Sequence, residues 1–184
     1  MVAADQNTSN LILVSGPSRG GKSRWAEHLL SGSADVTYVA TAADRPNDQD
    51  WQTRLDLHRR RRPSHWRLLE SDADLTTALR TIPQQSSVLI DALGGFVACH
   101  LDDSDLAWND CCEALVEQLA GMGQTCVVVI EETGWGVVPP TRIGGRFRDR
   151  LGSLAQILDR QADSAWLVLQ GRAVDLHALS QRVP

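Results

Sequence analysis

A glycine-rich segment near the amino end of the chain could hold the phosphates of a nucleotide. It has the pattern Gly16-x-x-x-x-Gly21-Lys22-Ser23 and follows the apolar run LILVS at 11–15. Glycines let successive backbone N–H groups wrap around a polyanion, with a helix N-terminus behind them. The lysine would reach the outer phosphates, and the serine hydroxyl would ligate Mg²⁺. Because the pattern stands between a predicted strand and a predicted helix, we favour a phosphate-binding loop (P-loop) over an ordinary glycine-rich turn.

A P-loop usually works with an acid that follows a neighbouring strand and helps to hold Mg²⁺. Two places qualify: Asp91 closes SSVLID, and Glu131 and Glu132 close TCVVVIEE. We prefer Asp91, because a single aspartate ends its apolar run. The alternative in which Asp91 only caps the following helix stays open.

The segment RLDLHRRRRPSHW at 54–66 gathers five arginines around one histidine in an acidic chain. On a helix, Arg54, His58, Arg61 and Arg62 would share one face. Charge runs are often merely solvated faces, and that alternative stays open. The functional interpretation is a local anion site, in which neighbouring cations keep the imidazole neutral. A neutral imidazole is a competent nucleophile toward phosphorus.

Hydrophobic periodicity indicates the elements that must position these groups. Strands are predicted at 11–15, 36–41, 65–70, 86–93 and 125–132, and helices at 23–30, 49–61, 72–82, up to 121 with a break near 102–104, and 141–163. Two final strands flank Gly171. This alternation predicts an α/β fold of the P-loop NTPase (RecA-like) type: a mostly parallel sheet with helices on both faces and a C-terminal antiparallel edge strand. Residues 1–10 are predicted to be a disordered tail, and 11–184 a single domain.

Composition narrows the partners. The 184 residues carry a net charge of −5, which disfavours general nucleic-acid binding. No apolar run approaches the roughly 18 residues of a membrane-spanning helix. The four cysteines show neither a zinc pattern nor a C-x-x-C pair, so we expect reduced thiols in a cytoplasmic protein.

At this point the chain resembles a known family, the bifunctional adenosylcobinamide kinase / adenosylcobinamide-phosphate guanylyltransferases of cobalamin synthesis. The resemblance runs from about residue 11 to 176. It is carried by LILVSGPSRGGKSRWAE, VTYVAT, RLDLHRRRRPSHWRLLE and EETGWGVVPPTRIGGRFRDRLGSLAQ. Many families share the P-loop, whereas the histidine block and the Phe147-Arg148-Asp149 block are specific.

The resemblance implies roles for individual positions. His58 would accept guanylate from GTP as a phosphoramidate, and Glu70 would contact the guanosine. Catalysis would rest on His58 and Lys22, and Mg²⁺ would be held by Ser23 and Asp91. The nucleotide-binding residues would be Gly16, Pro17, Ser18, Arg19, Gly20, Gly21, Lys22, Ser23, Ala40, Thr41, Ala42, Arg59, Arg60, Arg61, Arg62, Glu70 and Asp91.

Two reactions are implied. The first passes the terminal phosphoryl group of ATP or GTP to adenosylcobinamide. The second transfers GMP from GTP through His58 to adenosylcobinamide-phosphate, giving adenosylcobinamide-GDP. The partners are then a small corrinoid and nucleoside triphosphates, in a homo-oligomer that is commonly a trimer.

Some positions depart from the family pattern. Pro17 stands where glycine is common and removes one N–H donor, Glu131 stands where asparagine is frequent, and Ala155 replaces an asparagine. They leave the nucleotide preference of the kinase step open. Two other functions remain possible: a P-loop kinase with one activity on another small alcohol, and a non-catalytic nucleotide sensor.

Overall fold

The computed structural model describes residues 10–41, 48, 49, 53, 56, 59–137 and 139–183. Within these residues, seven strands form one sheet, in the order β3-β2-β4-β5-β1-β6-β7. The strands are β1 Asn10–Gly16, β2 Val36–Ala40, β3 Arg67–Glu70, β4 Ser87–Asp91, β5 Thr125–Glu131, β6 Ser164–Leu169 and β7 Arg172–Asp175. All pairings are parallel except β6–β7, which is antiparallel. The predicted mostly parallel sheet with an antiparallel C-terminal edge strand is confirmed.

Six helices with defined bounds lie in the described residues, and several of them begin at a polar capping side chain. They are α1 Lys22–Leu29, α2 Leu75–Arg80, α3 Leu93–Cys99, α4 Asp105–Ala120, α5 Arg142–Asp159 and α6 Leu176–Leu179. The side chains of Asp74, Ser104 and Thr141 accept hydrogen bonds from the first turns of α2, α4 and α5. These caps satisfy N–H groups that have no partner within the helix. None of the described helices is both long and apolar enough to cross a membrane.

The two faces of the sheet are covered by different helices. On one face, α1 packs through Ala26 onto Val14, Leu89 and Val129. On the other, α2, α3, α4 and α5 enclose the larger core, which contains fully buried residues such as Leu115. Strands covered on both faces are near-continuously apolar, as VVVI in β5 is. Helices on both faces are therefore confirmed.

Several predicted boundaries shift. Asn10, assigned to the tail, belongs to β1, and the rest of the tail lies outside the described residues. The strand predicted at 65–70 begins only at Arg67, because Pro63 and Trp66 form a turn with a 3.1 Å hydrogen bond. The strand predicted at 86–93 ends at Asp91, because Leu93 already begins α3. In the predicted helix at 49–61, residues 49, 53, 56 and 59–61 are described, and these are helical.

The four cysteines lie in described parts of the chain and all are free thiols. Burial raises the pKa of Cys126 to about 12. The expectation of reduced thiols is consistent with this arrangement, and the protonated form packs as a small apolar side chain.

Candidate active site

The turn between β1 and α1 has the backbone of a phosphate-binding loop. The φ angles of Gly16 and Gly21 are 147° and 109°, a region that residues with a Cβ atom rarely adopt. Arg19, between them, is left-handed as well, with a φ of 59°. The N–H of Gly20 donates to the carbonyl of Pro17 at 3.1 Å and closes the turn. Glycine at 16 and 21 is therefore a conformational requirement.

The C-terminal hairpin supports this loop from the side. The N–H of Gly171, in the β6–β7 turn, donates to the carbonyl of Gly20 at 2.9 Å. A Cβ atom on Gly20 would lie 2.6 Å from the carbonyl oxygen of Val168. Gly20 thus lets the hairpin backbone approach the loop closely. The sequence analysis missed this contact, because nothing local in the pattern links the two segments.

Lys22 is buried within the loop. Its side chain is 8% exposed, and its Nζ donates to the Pro17 carbonyl at 2.8 Å. The adjacent Ser23 is half-buried in the first turn of α1. A cationic amine held over the loop carbonyls and a hydroxyl at the helix start are the groups that a triphosphate and its metal ion use. The predicted lysine and serine therefore stand together at one end of α1.

Two acids flank the loop, and the sheet order distinguishes them. β5 lies between β1 and β4, so Glu131 pairs directly with Gly16, whereas Asp91 pairs with Val129. Burial raises the pKa of Glu131, and the Asp91 charge raises it further, while hydrogen bonds and the Lys22 charge oppose the rise. Glu131 is thus a residue of this site that the sequence analysis had ranked below Asp91. The sequence feature that could have identified Glu131 is its position at the end of the most apolar strand.

Asp91 does not cap the helix that follows it. The N-cap of α3 is Ala92, which has no capping side chain. The carboxylate of Glu131 instead accepts the N–H of Gly94 at 2.9 Å. Asp91 accepts a hydrogen bond from the hydroxyl of Tyr38 at 2.8 Å. The N-cap residue of α3 is therefore Ala92 and not Asp91, and the predicted role of Asp91 toward Mg²⁺ stays a prediction.

The end of β2 reaches the same edge of the sheet. Ala40 is its last residue, and the buried Thr41 donates its hydroxyl to the carbonyl of Ala92. Ala42 lies outside the described residues. The carboxyl ends of β2 and β4 are thereby joined through one side chain. Ligands of open parallel sheets bind at this edge.

Glu70 closes β3, the edge strand beside β2. It is paired with Ala40 in the parallel register, and its side chain is exposed. The N–H of the next residue, Ser71, donates to the carbonyl of Ala40 at 2.8 Å. Glu70 therefore lies at the carboxyl edge of the sheet, and only β2 separates its strand from β4, which ends at Asp91.

The arginine segment, residues 59–62, contacts α1 and β2. Arg61 donates to both carboxylate oxygens of Glu27, at 2.7 and 2.8 Å. The guanidinium of Arg62 lies 5.0 Å from the ring centroid of Tyr38, which is cation–π geometry. Arg59 and Arg60 are exposed. Arg54 and His58 lie outside the described residues, so their predicted shared face stays a prediction.

The donor set fits a magnesium ion in kind. Mg²⁺ prefers oxygen ligands and is usually held by one or two protein groups together with phosphates and waters. Ser23 offers a hydroxyl, and Asp91 and Glu131 offer carboxylates that interact electrostatically with each other. Within the described part of the chain, no group of three or more His, Cys, Asp or Glu side chains is arranged to hold a metal by itself. A site completed by a nucleotide is compatible with this.

A shallow groove follows β5. Its start is fixed by Glu132, whose N–H donates to the carbonyl of Gly16 at 2.8 Å. The groove has a volume of about 410 Å³ and is lined by Gly134, Arg148, Asp149, Gly152, Ser153 and Gln156. It therefore lies between the Arg148-Asp149 block on α5 and Gly134 in the segment after β5.

Comparisons with known proteins agree with this geometry. A family model described as "Cobinamide kinase / cobinamide phosphate guanyltransferase" matches residues 12–176. The "Bifunctional adenosylcobalamin biosynthesis protein CobU" of Escherichia coli K12 is 33% identical over 181 residues, covering 90% of this chain and 99% of that protein. The CobP protein of the same description from Pseudomonas aeruginosa is 34% identical over 167 residues, covering 89% and 95%.

Solved structures with little sequence identity share the fold. An ATPase of a type III secretion system aligns with a TM-score of 0.53 at 15% identity, covering 86% of this chain. This chain spans 51% of the length of that ATPase. A Pyrococcus horikoshii protein, PH0250, aligns with a TM-score of 0.54 at 6% identity, covering 91% of this chain and 85% of its own. The likeness supports the P-loop NTPase fold alone.

Proposed function

The chain belongs to the cobinamide kinase / cobinamide phosphate guanyltransferase family, and we propose that it carries out both reactions on adenosylcobinamide. It phosphorylates adenosylcobinamide with ATP or GTP, and it then transfers GMP from GTP to the phosphorylated product. The relatives named as bifunctional adenosylcobalamin biosynthesis proteins match nearly from end to end. The observation that carries the proposal is the joint presence of an intact P-loop and an arginine segment hydrogen-bonded to the P-loop helix.

In the kinase step, the hydroxyl oxygen of the corrinoid attacks the γ-phosphorus, and the bond to the bridging β–γ oxygen breaks. Loop N–H groups and Lys22 hold the phosphates and offset charge on the transferring group. When the nucleotide binds, Lys22 exchanges its hydrogen bond to the Pro17 carbonyl for one to a phosphate oxygen. Because Pro17 has no N–H, the loop offers one donor fewer than a glycine would give.

In the guanylyl step, a ring nitrogen of His58 attacks the α-phosphorus of GTP, and pyrophosphate leaves. A phosphate oxygen of adenosylcobinamide-phosphate then attacks that phosphorus, and the P–N bond breaks to give adenosylcobinamide-GDP. The intermediate divides one difficult exchange into two displacements. The nearby guanidinium groups of residues 59–62 suit the charge of pyrophosphate.

Mg²⁺ is the expected cofactor, with Ser23 and Asp91 as its protein ligands. When bound, it would supply positive charge that offsets the negative charge of the phosphates. The hydroxyl of Tyr38 donates to Asp91 and orients that carboxylate toward the sheet edge. Burial raises the pKa of Tyr38, followed by the charge of Asp91, so the phenol stays protonated and keeps donating.

We propose a homo-oligomer, with a trimer as the expected state, in the cytoplasm. The apolar side chains of Trp135, Val137 and Ile143 are 59%, 95% and 52% exposed, beside the groove on α5. Exposed apolar side chains that form one contiguous patch are typical of protein contacts. Four free thiols accord with a reducing compartment. Light scattering after size-exclusion chromatography measures the oligomeric state, and a purely monomeric protein contradicts this part.

The decisive experiment incubates the protein with GTP labelled at the α-phosphate. We expect protein-bound label that acid removes and base does not, as for a phosphoramidate. The His58→Ala variant should take no label, whereas the His65→Ala variant should label normally, because the exposed His65 has no role in the proposal. GTP labelled at the γ-phosphate should leave no label on the protein.

Two outcomes favour the other functions. Transfer of labelled γ-phosphate to a small alcohol, without protein label from α-labelled GTP, favours a kinase with a single activity. GTP binding by calorimetry, without either transfer, favours a nucleotide sensor. Supplying adenosylcobinamide and its phosphate in parallel reactions separates these cases.

A further inference from the structure

We infer that the ion pair between Glu27 and Arg61 is a positioning device for the guanylyl step, largely independent of phosphoryl transfer. The inference rests on the proposed function and deepens it. It assigns a role to Glu27, which is outside the P-loop pattern, and adds a positioning role to Arg61. The pair joins the helix behind the P-loop to the segment that directly follows His58 in the sequence.

The pair has the geometry of a specific clamp. Arg61 donates through Nε to Oε2 at 2.7 Å and through Nη2 to Oε1 at 2.8 Å. The side chains of Arg61 and Glu27 are 34% and 12% exposed, so solvent screens the carboxylate little. Two parallel N–H···O bonds fix the relative orientation of both groups, which a single contact does not.

On the helix side, Glu27 is a fixed point relative to the phosphate loop. It belongs to α1, which begins at Lys22. The neighbouring Ala26 and Leu30 are fully buried against the sheet. A side chain that binds the Glu27 carboxylate is therefore held at a fixed position relative to the P-loop.

On the other side, residues 59–62 have few such anchors. Arg59 forms an exposed ion pair with Asp56, in which both side chains are at least half exposed, at 3.5 Å. Arg62 stacks over Tyr38. Of these four residues, Arg61 has the shortest hydrogen bonds to another described element. Loss of that pair removes a direct contact between the segment and α1.

Electrostatics keep the pair charged. Burial acts to lower the pKa of Arg61, but the hydrogen bond and charge of Glu27, together with the charge of Asp91, raise it overall. Arg61 thus interacts with both α1 and the carboxyl end of β4. Arg61 replaced by lysine keeps a charge here but loses the two-bond geometry.

The two reactions should depend on the pair differently. Phosphoryl transfer needs the loop, which is held by β5 and by the β6–β7 hairpin without Arg61. Guanylyl transfer needs a nucleophile three residues before Arg61 in the sequence. Misplacing a reacting group by about 1 Å can cost on the order of a hundredfold in rate.

The test compares Glu27→Gln, Arg61→Lys and the Glu27→Gln/Arg61→Lys double variant. We expect the rate of protein labelling from α-labelled GTP to fall about tenfold or more in each, and we expect Glu27→Gln, which changes no residue assigned to the nucleotide, to keep kinase turnover within about twofold of wild type. The double variant should lose little beyond the worse of the single variants, since each already removes the same contact. Asp35→Asn, which breaks the Arg67 pair at the amino ends of β2 and β3, is the matched control and should change neither rate.

Three results overturn the inference. Labelling at the wild-type rate in Arg61→Lys and Glu27→Gln shows that the pair positions nothing. Equal loss of both reactions, with a lowered melting temperature, shows a general structural role. A wild-type protein that takes no label refutes the proposed covalent step, and the inference with it, whereas normal wild-type labelling confines any failure to the pair.

Discussion

The carboxylate of Glu131 and the backbone N–H of Gly94 form a 2.9 Å hydrogen bond at the point where β5 meets the start of α3. A Cβ atom on Gly94 would lie 2.7 Å from the same carboxylate. Glu131, which lies beside the P-loop, thus caps the first turn of α3, the helix that follows β4. This couples the charge state of Glu131 to the stability of the fold.

Replacing Glu131 with glutamine should stabilise the fold more at neutral pH than at acid pH. Because the pKa of the buried carboxyl is raised above its ordinary value of 4.5, the folded state binds its proton more tightly than the unfolded chain. The carboxylate therefore costs stability as pH rises above the unfolded pKa. Urea denaturation of both proteins from about pH 4 to pH 7 should show the variant gaining relative to wild type as pH rises. A gain that shrinks over this range contradicts the burial argument.

Alanine at Gly95 should destabilise the protein more than alanine at Gly94. A Cβ atom on Gly95 would meet the backbone carbonyl of the buried Thr41, which cannot move without β2. The group facing Gly94 is the end of a side chain. We expect a loss of about 2–3 kcal/mol for Gly95→Ala and about 1 kcal/mol for Gly94→Ala, by chemical denaturation. Equal losses of stability in the two variants would contradict the argument that the Thr41 backbone resists a Cβ atom at position 95.

Replacing Lys22 with alanine should reduce phosphoryl transfer about a hundredfold, the loss expected on removing one charge-stabilising donor. The fold should persist, because the Lys22 amine donates to the Pro17 carbonyl within its own loop. Kinase turnover and a denaturation curve on the same preparation check both statements. Turnover within twofold of wild type would remove Lys22 from the mechanism.

Arg150 should be worth more to stability than Arg146, although both lie on α5. The Arg150 side chain is 6% exposed and donates to the carbonyls of His100 and Asp103. Arg146, which is half-buried, donates to the carbonyl of Leu101 at 2.6 Å. We expect Arg150→Met to cost about 3 kcal/mol and Arg146→Met about 1 kcal/mol of unfolding free energy, since the former leaves two carbonyls without a donor. A larger loss of unfolding free energy for Arg146→Met than for Arg150→Met would show that the Arg150 hydrogen bonds are not what holds the loop at 100–105.

Alanine at Gly152 should stabilise the protein by about 0.5–1 kcal/mol, because glycine costs backbone entropy inside a helix. Gly152 lies within α5, and a Cβ atom there would have no neighbour within 4 Å in the described structure. Thermal unfolding of the isolated protein measures the effect. Destabilisation would indicate that a partner subunit approaches this face.

The fold was predictable where a signal was local and strong. The P-loop followed from its motif, and β5 followed from its apolar run, because burial on both faces demands such a run. The antiparallel hairpin followed from two strand-like runs around Gly171. The order of the strands in the sheet could not be predicted. Whether β4 or β5 lies beside β1 depends on how the helices pack in three dimensions, and the sequence of a single strand does not determine this.

The site was predictable in part for the same reason. Lys22 and Ser23 were identified from residue type and spacing, and they stand where a P-loop requires. Glu131 was ranked second because Asp91 is a single aspartate at the end of its apolar run, and the pairing of Glu131 with Gly16, which is distant in sequence, was not visible. The partners of Arg61 and Arg62, which are Glu27 and Tyr38, were not found either, since each contact joins segments that are distant in sequence.

The position of β1 in the middle of the sheet bears on how the protein is made. β1 is flanked by β5 and β6, and the loop after it is closed by the N–H of Gly171. β1, the first of the described strands, therefore acquires its two neighbours only after β2, β3 and β4 have been synthesised. We expect a nascent chain that lacks β6 and β7 to gain little stability from nucleotide, because the loop after β1 then lacks its contact with the hairpin.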